Sequence, residues 1–450
     1  MTDSHRGLPF PRRTVAIIAL STGAMLLMID GPIVAVVLPT IAKELNVESA
    51  SAVLIVTVYQ LILAMTMLPF AALGNRIGHR RLYQAGLILH SVAAILCFFA
   101  HSLLALIIAR SLQAFGAAAA MSIAIGLLRG IYPLERLGTG LGINTIANAI
   151  GAALAPVIGG FIISIADWHW VFVAVVPLSI ITLLLSRALP EPEPRQHRFD
   201  LLGAGLCALT FGLLVSGLES TIHSSHLFLS IGIFVCGAVV ARFFMRHEKR
   251  EADPVLPVDL LAMPVIALSI ISGFAAIIAN TTVALSMPFR LQHGYGFSPA
   301  EVGGIMAAYA LVISAISPIA AFLSDRISVA LLSTVGMVIA SIALMFLAFL
   351  PEHPSHFDIV WRLWLCGIGF SLFFSPNWRY VVVAAPVKRS VAAGSLYTTM
   401  RMLAYTGAAT LVAALLAFGL GEGSAPALVA SFLSMVAAAI SAWGLFRPKN

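Results

Sequence analysis

Apolar runs of about 18 to 27 residues recur from one end of the chain to the other, separated by short polar breaks. They fall at residues 14–39, 51–73, 82–100, 103–128, 139–163, 170–187, 201–218, 227–245, 265–287, 301–323, 330–350, 359–378, 391–418 and 425–446. At about 1.5 Å of rise per residue, a helix of this length crosses a hydrocarbon core of roughly 30 Å. Membrane β-strands would instead alternate apolar and polar residues in segments of about ten, a pattern the chain lacks. The pattern therefore predicts an all-α integral membrane protein of fourteen spans.

Two longer polar breaks divide the spans. Residues 188–200, with Pro190, Pro192 and Pro194, follow the sixth span, and residues 246–262, with Lys249, Arg250, Asp253, Pro254 and Pro257, follow the eighth. The expected organisation is a six-helix bundle over 1–187, linkers with two additional helices over 188–262, and a second six-helix bundle over 263–450. The outer blocks share weak similarity. Ala-Ala-Leu-Gly-Asn-Arg-Ile at 71–77 resembles Ala-Phe-Leu-Ser-Asp-Arg-Ile at 321–327, Arg110 and Arg362 each sit early in a fourth span, and Pro133-Leu-Glu-Arg136 parallels Pro386-Val-Lys-Arg389. Such duplication places a binding cavity between two bundles near the bilayer midplane.

Composition agrees: 60% hydrophobic and 10% charged residues leave too little polar surface for a water-soluble globule of 450 residues. The net charge of +7 raises the question of nucleic acid, but its distribution points elsewhere. With the N-terminus placed in the cytoplasm, nearly all lysines and arginines between spans fall on that side. Only Lys43 and Arg290 fall opposite. This asymmetry is the positive-inside rule, and it predicts two cytoplasmic termini and no nucleic-acid partner. The first run lacks a convincing small-residue cleavage site and is read as a retained span. Cys97, Cys207, Cys236 and Cys366 lie inside spans without metal or redox spacing, and the twelve histidines lie mostly in loops or at span ends without ligand motifs. No metal site is expected. A Walker-type phosphate loop and a nucleotide-sized soluble segment are both missing, so no cofactor is expected and the energy source is an ion gradient.

Asp30 is the strongest chemical signal, because it lies within the first span in Met-Leu-Leu-Met-Ile-Asp-Gly-Pro. A charge at mid-helix costs roughly 2.5–3.5 kcal/mol on insertion, so this carboxylate either serves a cavity, where a proton and an organic cation can compete for it, or only bonds a neighbouring helix. Gly31 and Pro32 loosen the helix beside it, which favours the functional reading. Arg110, with Gln113 one turn later, reads equally as a proton relay or a structural pair, and Arg401 leans structural. Gly151, Pro156, Gly159 and Gly160 in the fifth span permit close helix approach and a bend. Tyr59, Gln60, Asn144, Asn148, Asn280, Trp364, Phe374 and Tyr397 are candidate lining residues of an apolar cavity, each alone more ordinarily a packing residue.

These residues resemble the fourteen-span drug:proton antiporters of the major facilitator superfamily over almost the whole chain. Asp30 through Leu38-Pro39-Thr40-Ile41 is similar to the family's Asp-x-Thr-x-x-Asn-x-Ala-Leu-Pro signature, with Pro32 and Ala35 in place of Thr and Asn. Leu73-Gly74-Asn75-Arg76-Ile77-Gly78-His79-Arg80-Arg81 is similar to the superfamily's gating loop, with Asn75 where Asp is usual. Arg110-Ser-Leu-Gln113-Ala-Phe-Gly116 resembles the fourth-span proton-transfer motif, and Gly151 to Gly160 the fifth-span antiporter motif. Trp168-His-Trp170-Val-Phe172, Phe199-Asp200-Leu-Leu-Gly203, Pro254-Val-Leu-Pro-Val-Asp259-Leu and Gly296-Phe-Ser298-Pro299-Ala-Glu301-Val-Gly303 follow in family order. The resemblance implies alternating access in a bacterial cytoplasmic (inner) membrane, with protons and a small-molecule substrate as partners beside the lipid bilayer. It implies export of quaternary ammonium compounds, dyes and viologens. A membrane-embedded enzyme or sensor would need a clustered catalytic set or a sizeable soluble domain, and the sequence offers neither, so no enzyme is expected; no oligomer is implied, and a monomer is expected. An exporter of a metabolite, siderophore or anionic compound is the alternative, and it would lean on Arg401 or Arg110.

Overall fold

The computed structural model describes residues 7–133, 136–191, 200–223, 227–248, 258–386 and 389–443. Most of both linker segments, including Pro192, Pro194, Lys249, Arg250, Asp253, Pro254 and Pro257, lies outside the described residues, as does the side chain of Asn75. Among the described residues there is no strand. Sixteen α-helices run in order: α1 (Arg12–Glu44), α2 (Ser49–Ile77), α3 (His79–Phe98), α4 (Leu103–Ser122), α5 (Ala124–Ile131), α6 (Leu137–Ile165), α7 (His169–Val173), α8 (Val176–Leu185), α9 (Leu201–His223), α10 (Leu227–Glu248), α11 (Pro264–Phe289), α12 (Pro299–Leu323), α13 (Val329–Ala348), α14 (His356–Ala384), α15 (Ser390–Ala417) and α16 (Ala425–Trp443). They supply fourteen candidate membrane spans, because α4 with α5 and α7 with α8 each make one interrupted span.

The helices run past the apolar runs that mark them, since chain outside the hydrocarbon continues the backbone bonding until a cap or a turn stops it. Ser298 and Ser355 open α12 and α14 with capping boxes closed by Glu301 and Asp358. Between α2 and α3 the chain reverses at Gly78, whose φ of 102° suits only glycine.

In the first bundle α1 packs along α6 and α8, α3 along α4, α7 and α8, and α2 along α4. In the second, α11 packs on α15 and α16, α13 on α14 and α16, and α12 on α14. The α9–α10 hairpin docks through α9 on α2 and α15, where Gly212 admits the Met65 side chain. Leu82, Tyr83, Gly86, Leu87, His90, Ala94 and Cys97 form the inward stripe of α3, whereas Ile88, Val92, Ile95 and Leu96 face outward. A wide apolar surface suits lipid, and the burial contrast is greatest between central α1 and peripheral α10.

The two bundles meet along α2 and α15 and along α6 and α12, and they touch directly at the end remote from the arginine-rich loops. There Gln292, just beyond α11, donates to the Val36 carbonyl of α1 at 3.0 Å. A Cβ on Gly160 of α6 would stand 2.8 Å from the Pro299 carbonyl oxygen of α12, and one on Gly303 would stand 2.6 Å from the Pro156 carbonyl oxygen. The small residues of α6 thus let backbone meet backbone across the bundle boundary.

Candidate functional site

Asp30 lies fully within the first bundle, 1% exposed. Its two carboxylate oxygens accept from Arg110 Nη1 of α4, each at 3.0 Å, and Oδ1 also accepts from Gln113 Nε2 at 2.8 Å. Arg110 Nη1 in turn donates to Gln113 Oε1 at 2.8 Å. The spacing of Arg110 and Gln113 puts both on the face of α4 that meets α1. Above the guanidinium lies the Tyr59 ring of α2, its centroid 4.0 Å from Cζ, and Phe172 of α7 approaches to 5.6 Å. The Tyr59 hydroxyl is within reach of Asp30. A desolvated cation over an aromatic face gains about 2 kcal/mol, and a charge-assisted hydrogen bond about 1.5–3 kcal/mol, so the mid-membrane charges are well answered.

Sequence reasoning missed one member of this network. His90, which falls inside the predicted third span but was not singled out, is fully buried in the middle of α3 with Nε2 3.6 Å from Asp30 Oδ2 and 3.4 Å from Gln113 Nε2. Among the described residues its Nδ1 has no hydrogen-bond partner. Cys97, two turns on along the same stripe, reaches Gln113 Oε1 at 3.7 Å. The period of α3 carries the missing signal, because Tyr83, Leu87, His90, Ala94 and Cys97 recur at helical spacing on one face.

The fifth-span glycines hold the Asp30 helix. A Cβ on Gly151 would stand 2.6 Å from the Met25 carbonyl oxygen and one on Gly159 would stand 3.0 Å from that of Ile33, so α6 grips α1 on both sides of Asp30. Gly160 and Pro156 on the same helix face α12 of the other bundle. One helix therefore touches both the buried carboxylate's helix and the opposite half.

The second bundle contains an uncharged counterpart. Ser102 caps α4 as Ser355 caps α14, and the close approach of Gly86 to Gly116 recurs between Gly336 and Gly369. This register matches Tyr59 to Tyr309 and Asp30 to Asn280, and the Tyr309 hydroxyl donates to Asn280 Oδ1 at 2.5 Å. His90, Arg110 and Gln113 fall on Ala340, Leu363 and Cys366. Arg362, which sequence position pairs with Arg110, lies one residue early and instead donates to the Asp358 carbonyl on its own helix at 2.5 Å. Among the described residues, the buried acid–guanidinium pair belongs to the first bundle.

The remaining candidates lie apart from the network. Among the gating-loop residues, Gly74 is buried against Ile123, Gly78 makes the turn, Arg76 is exposed, Arg80 is half-buried, and Arg81 faces Glu191 at 3.6 Å on the surface. In the second bundle Asp325, at the position of Asn75, pairs with Arg379, which also donates to Ser324 Oγ at 3.0 Å. Asn148 donates to Asn144 on α6 at 3.1 Å, Tyr397 is buried beside Asn377, and Trp364 is exposed. Arg401 is half-buried on α15, and among the described residues its Nε has no hydrogen-bond partner. A cleft of about 340 Å³ at the end remote from the arginine-rich loops is lined by other residues, Glu48 and Glu422 among them. The later motifs serve as joints. Asp200 accepts from the Gly203 amide at 2.8 Å and pairs with His247, while Asp259 pairs with Arg389.

Residues 20–409 match the family profile of the Major Facilitator Superfamily. The chain belongs to that superfamily. This facilitator is a multi-pass membrane transporter, not an enzyme, with fourteen candidate spans among the described residues, six in each bundle and a pair that lies between them in sequence. It is 38% identical over 448 residues to an uncharacterised Escherichia coli (strain K12) transporter, YebQ, covering 99% of this chain and 98% of that one. It is 28% identical to the riboflavin transporter RibZ of Clostridioides difficile (strain 630), over 88% of this chain and 86% of RibZ. Against the methyl viologen resistance protein SmvA of Salmonella typhimurium (strain LT2) identity is 27%, over 82% and 76%. A bacterial homologue of the human lysosomal transporter Spinster shares the fold at TM-score 0.72 and 17% identity, with 97% of each chain covered.

Proposed function

We propose that this facilitator is a proton-coupled exporter of small organic, cationic or lipophilic compounds across a bacterial cytoplasmic membrane, with both termini cytoplasmic and alternating access between its two bundles. The observation that carries the reading is the sealed carboxylate network of Asp30, Arg110 and Gln113, which places a protonatable acid at mid-membrane on the helix that α6 links to the opposite half.

Asp30 does not face a substrate directly, because Arg110 already answers its charge. A proton on Asp30 frees the guanidinium from its anion, and a buried unpaired cation is costly. Proton uptake therefore biases the α1–α4 contact toward another arrangement, and α6 carries the change to α12. The contacts of Gly160 and Gln292 close one end here; opening them while closing the basic end completes the exchange. Substrate need not meet the proton site, which suits relatives whose names span methyl viologen and multidrug resistance as well as riboflavin. One proton for one monovalent cation moves no net charge, while export of a neutral compound also draws on the potential, by about 2.3 kcal/mol per 100 mV.

Arg401 favours a second reading, an exporter of metabolites or anions. Among the described residues no carboxylate pairs with this guanidinium, which leaves it able to meet an acidic or carbonyl group.

The test is collapse of an imposed pH gradient in inverted vesicles on addition of methyl viologen, quaternary ammonium compounds, riboflavin and organic anions. A compound that collapses the gradient with the wild type and not with Asp30→Asn supports the reading; activity only with anions, dependent on Arg401, replaces it with the second.

A further inference from the structure

We infer that His90 is the relay through which the proton reaches and leaves Asp30, an inference that rests on the proton-coupled reading above. Four observations converge on it. The ring is wholly enclosed at mid-membrane, where a polar group without a task is costly. Nε2 lies at ion-pairing distance from Asp30 Oδ2, while Nδ1, on the other side of the ring, has no hydrogen-bond partner among the described residues. The close approach of α3 and α4 fixes its place, since a Cβ on Gly116 would stand 2.5 Å from the His90 amide nitrogen. The uncharged counterpart in the second bundle keeps the tyrosine and an amide but has Ala340 here, so the imidazole accompanies the acid and the guanidinium.

The groups that reach the ring are Asp30 on α1 and Gln113 on α4, and Arg110 on α4, Tyr59 on α2 and Cys97 on its own helix complete the network around those two. Gln113 Nε2 spends a hydrogen on Asp30 Oδ1 at 2.8 Å, and the inference gives the resting tautomer its hydrogen on Nε2, toward the charged carboxylate, with Nδ1 bare. When an opened conformation admits water, a new N–H bond forms at Nδ1, the Nε2–H bond breaks, and an O–H bond forms on Asp30. The imidazole returns to neutrality as the other tautomer, and Arg110 keeps its charge throughout. Release runs the same steps backward.

The experiment uses full-length protein in nanodiscs and needs no substrate. Time-resolved infrared spectroscopy after a pH jump follows the protonated-carboxyl band of Asp30, identified by its loss in Asp30→Asn. Nitrogen-15 histidine spectra, with His90→Gln as the subtraction, read the resting tautomer. The inference predicts the Nε2–H form, and in His90→Gln an Asp30 band of unchanged amplitude that grows at least about tenfold more slowly. Thermal melts confirm that the variant is folded, and His90→Asn stands in if it is not. An Asp30 band with wild-type kinetics in the folded variant overturns the relay alone. The absence of any Asp30 band in wild type overturns the proton-coupled reading and the relay with it.

Discussion

Replacing Arg110 by Leu removes two hydrogen bonds to the Asp30 carboxylate and one to Gln113, all in a site sealed from water. Breaking one side of a buried ion pair costs about 3–5 kcal/mol, mostly from the charge left behind. Asp30→Asn leaves the guanidinium with Gln113 Oε1 and the Tyr59 face, worth roughly 2 kcal/mol, so its cost falls at the lower end of that range. The double variant strands neither charge. It also reproduces Asn280 and Leu363 in the second bundle, where the same helix geometry packs without ions. The double variant should therefore be more stable than Arg110→Leu, with a coupling energy of about 3 kcal/mol. Equilibrium unfolding in detergent mixed micelles, followed by tryptophan fluorescence, measures the four stabilities. Additivity of the single costs to within about 0.5 kcal/mol would refute the pairing argument.

Other substitutions probe the helix contacts around the site. Gly151→Val and Gly159→Val press side chains onto the Met25 and Ile33 carbonyls and should each cost about 1–3 kcal/mol while lowering transport; unchanged melting temperatures would contradict the tight α1–α6 seam. Gly160→Val should hold apart the end that Gln292 closes, and labelling of a cysteine at position 292 by a membrane-impermeant thiol reagent should rise several-fold; equal labelling would remove α6 from the closure. Arg401→Gln should leave Asp30 protonation intact and change which compounds collapse the pH gradient; an identical compound profile would exclude Arg401 from substrate contact.

The fourteen spans were legible because hydrophobic length is a property of the local sequence. Their interruptions at Ile123 and near Ala174 were not, since an apolar run does not show where backbone bonding shifts. Asp30, Arg110 and Gln113 each stood out as polar residues within apolar spans, but their union depends on how α1 and α4 face one another. His90 was lost because a histidine is ambiguous by itself, and only the shared stripe with Tyr83 and Cys97 shows that it points inward. The parallel drawn between Arg110 and Arg362 failed by a single residue. On a helix one residue turns a side chain by about 100°, enough to exchange a core position for a local bond to Asp358.

The central claim is that protonation of Asp30 drives transport. Its most direct test takes a compound that passes the vesicle screen and measures its uptake into liposomes containing purified protein, at zero potential, with and without a pH gradient. Wild type should accumulate the compound against its gradient, and Asp30→Asn should let it equilibrate without accumulation. Full accumulation by Asp30→Asn would contradict the account.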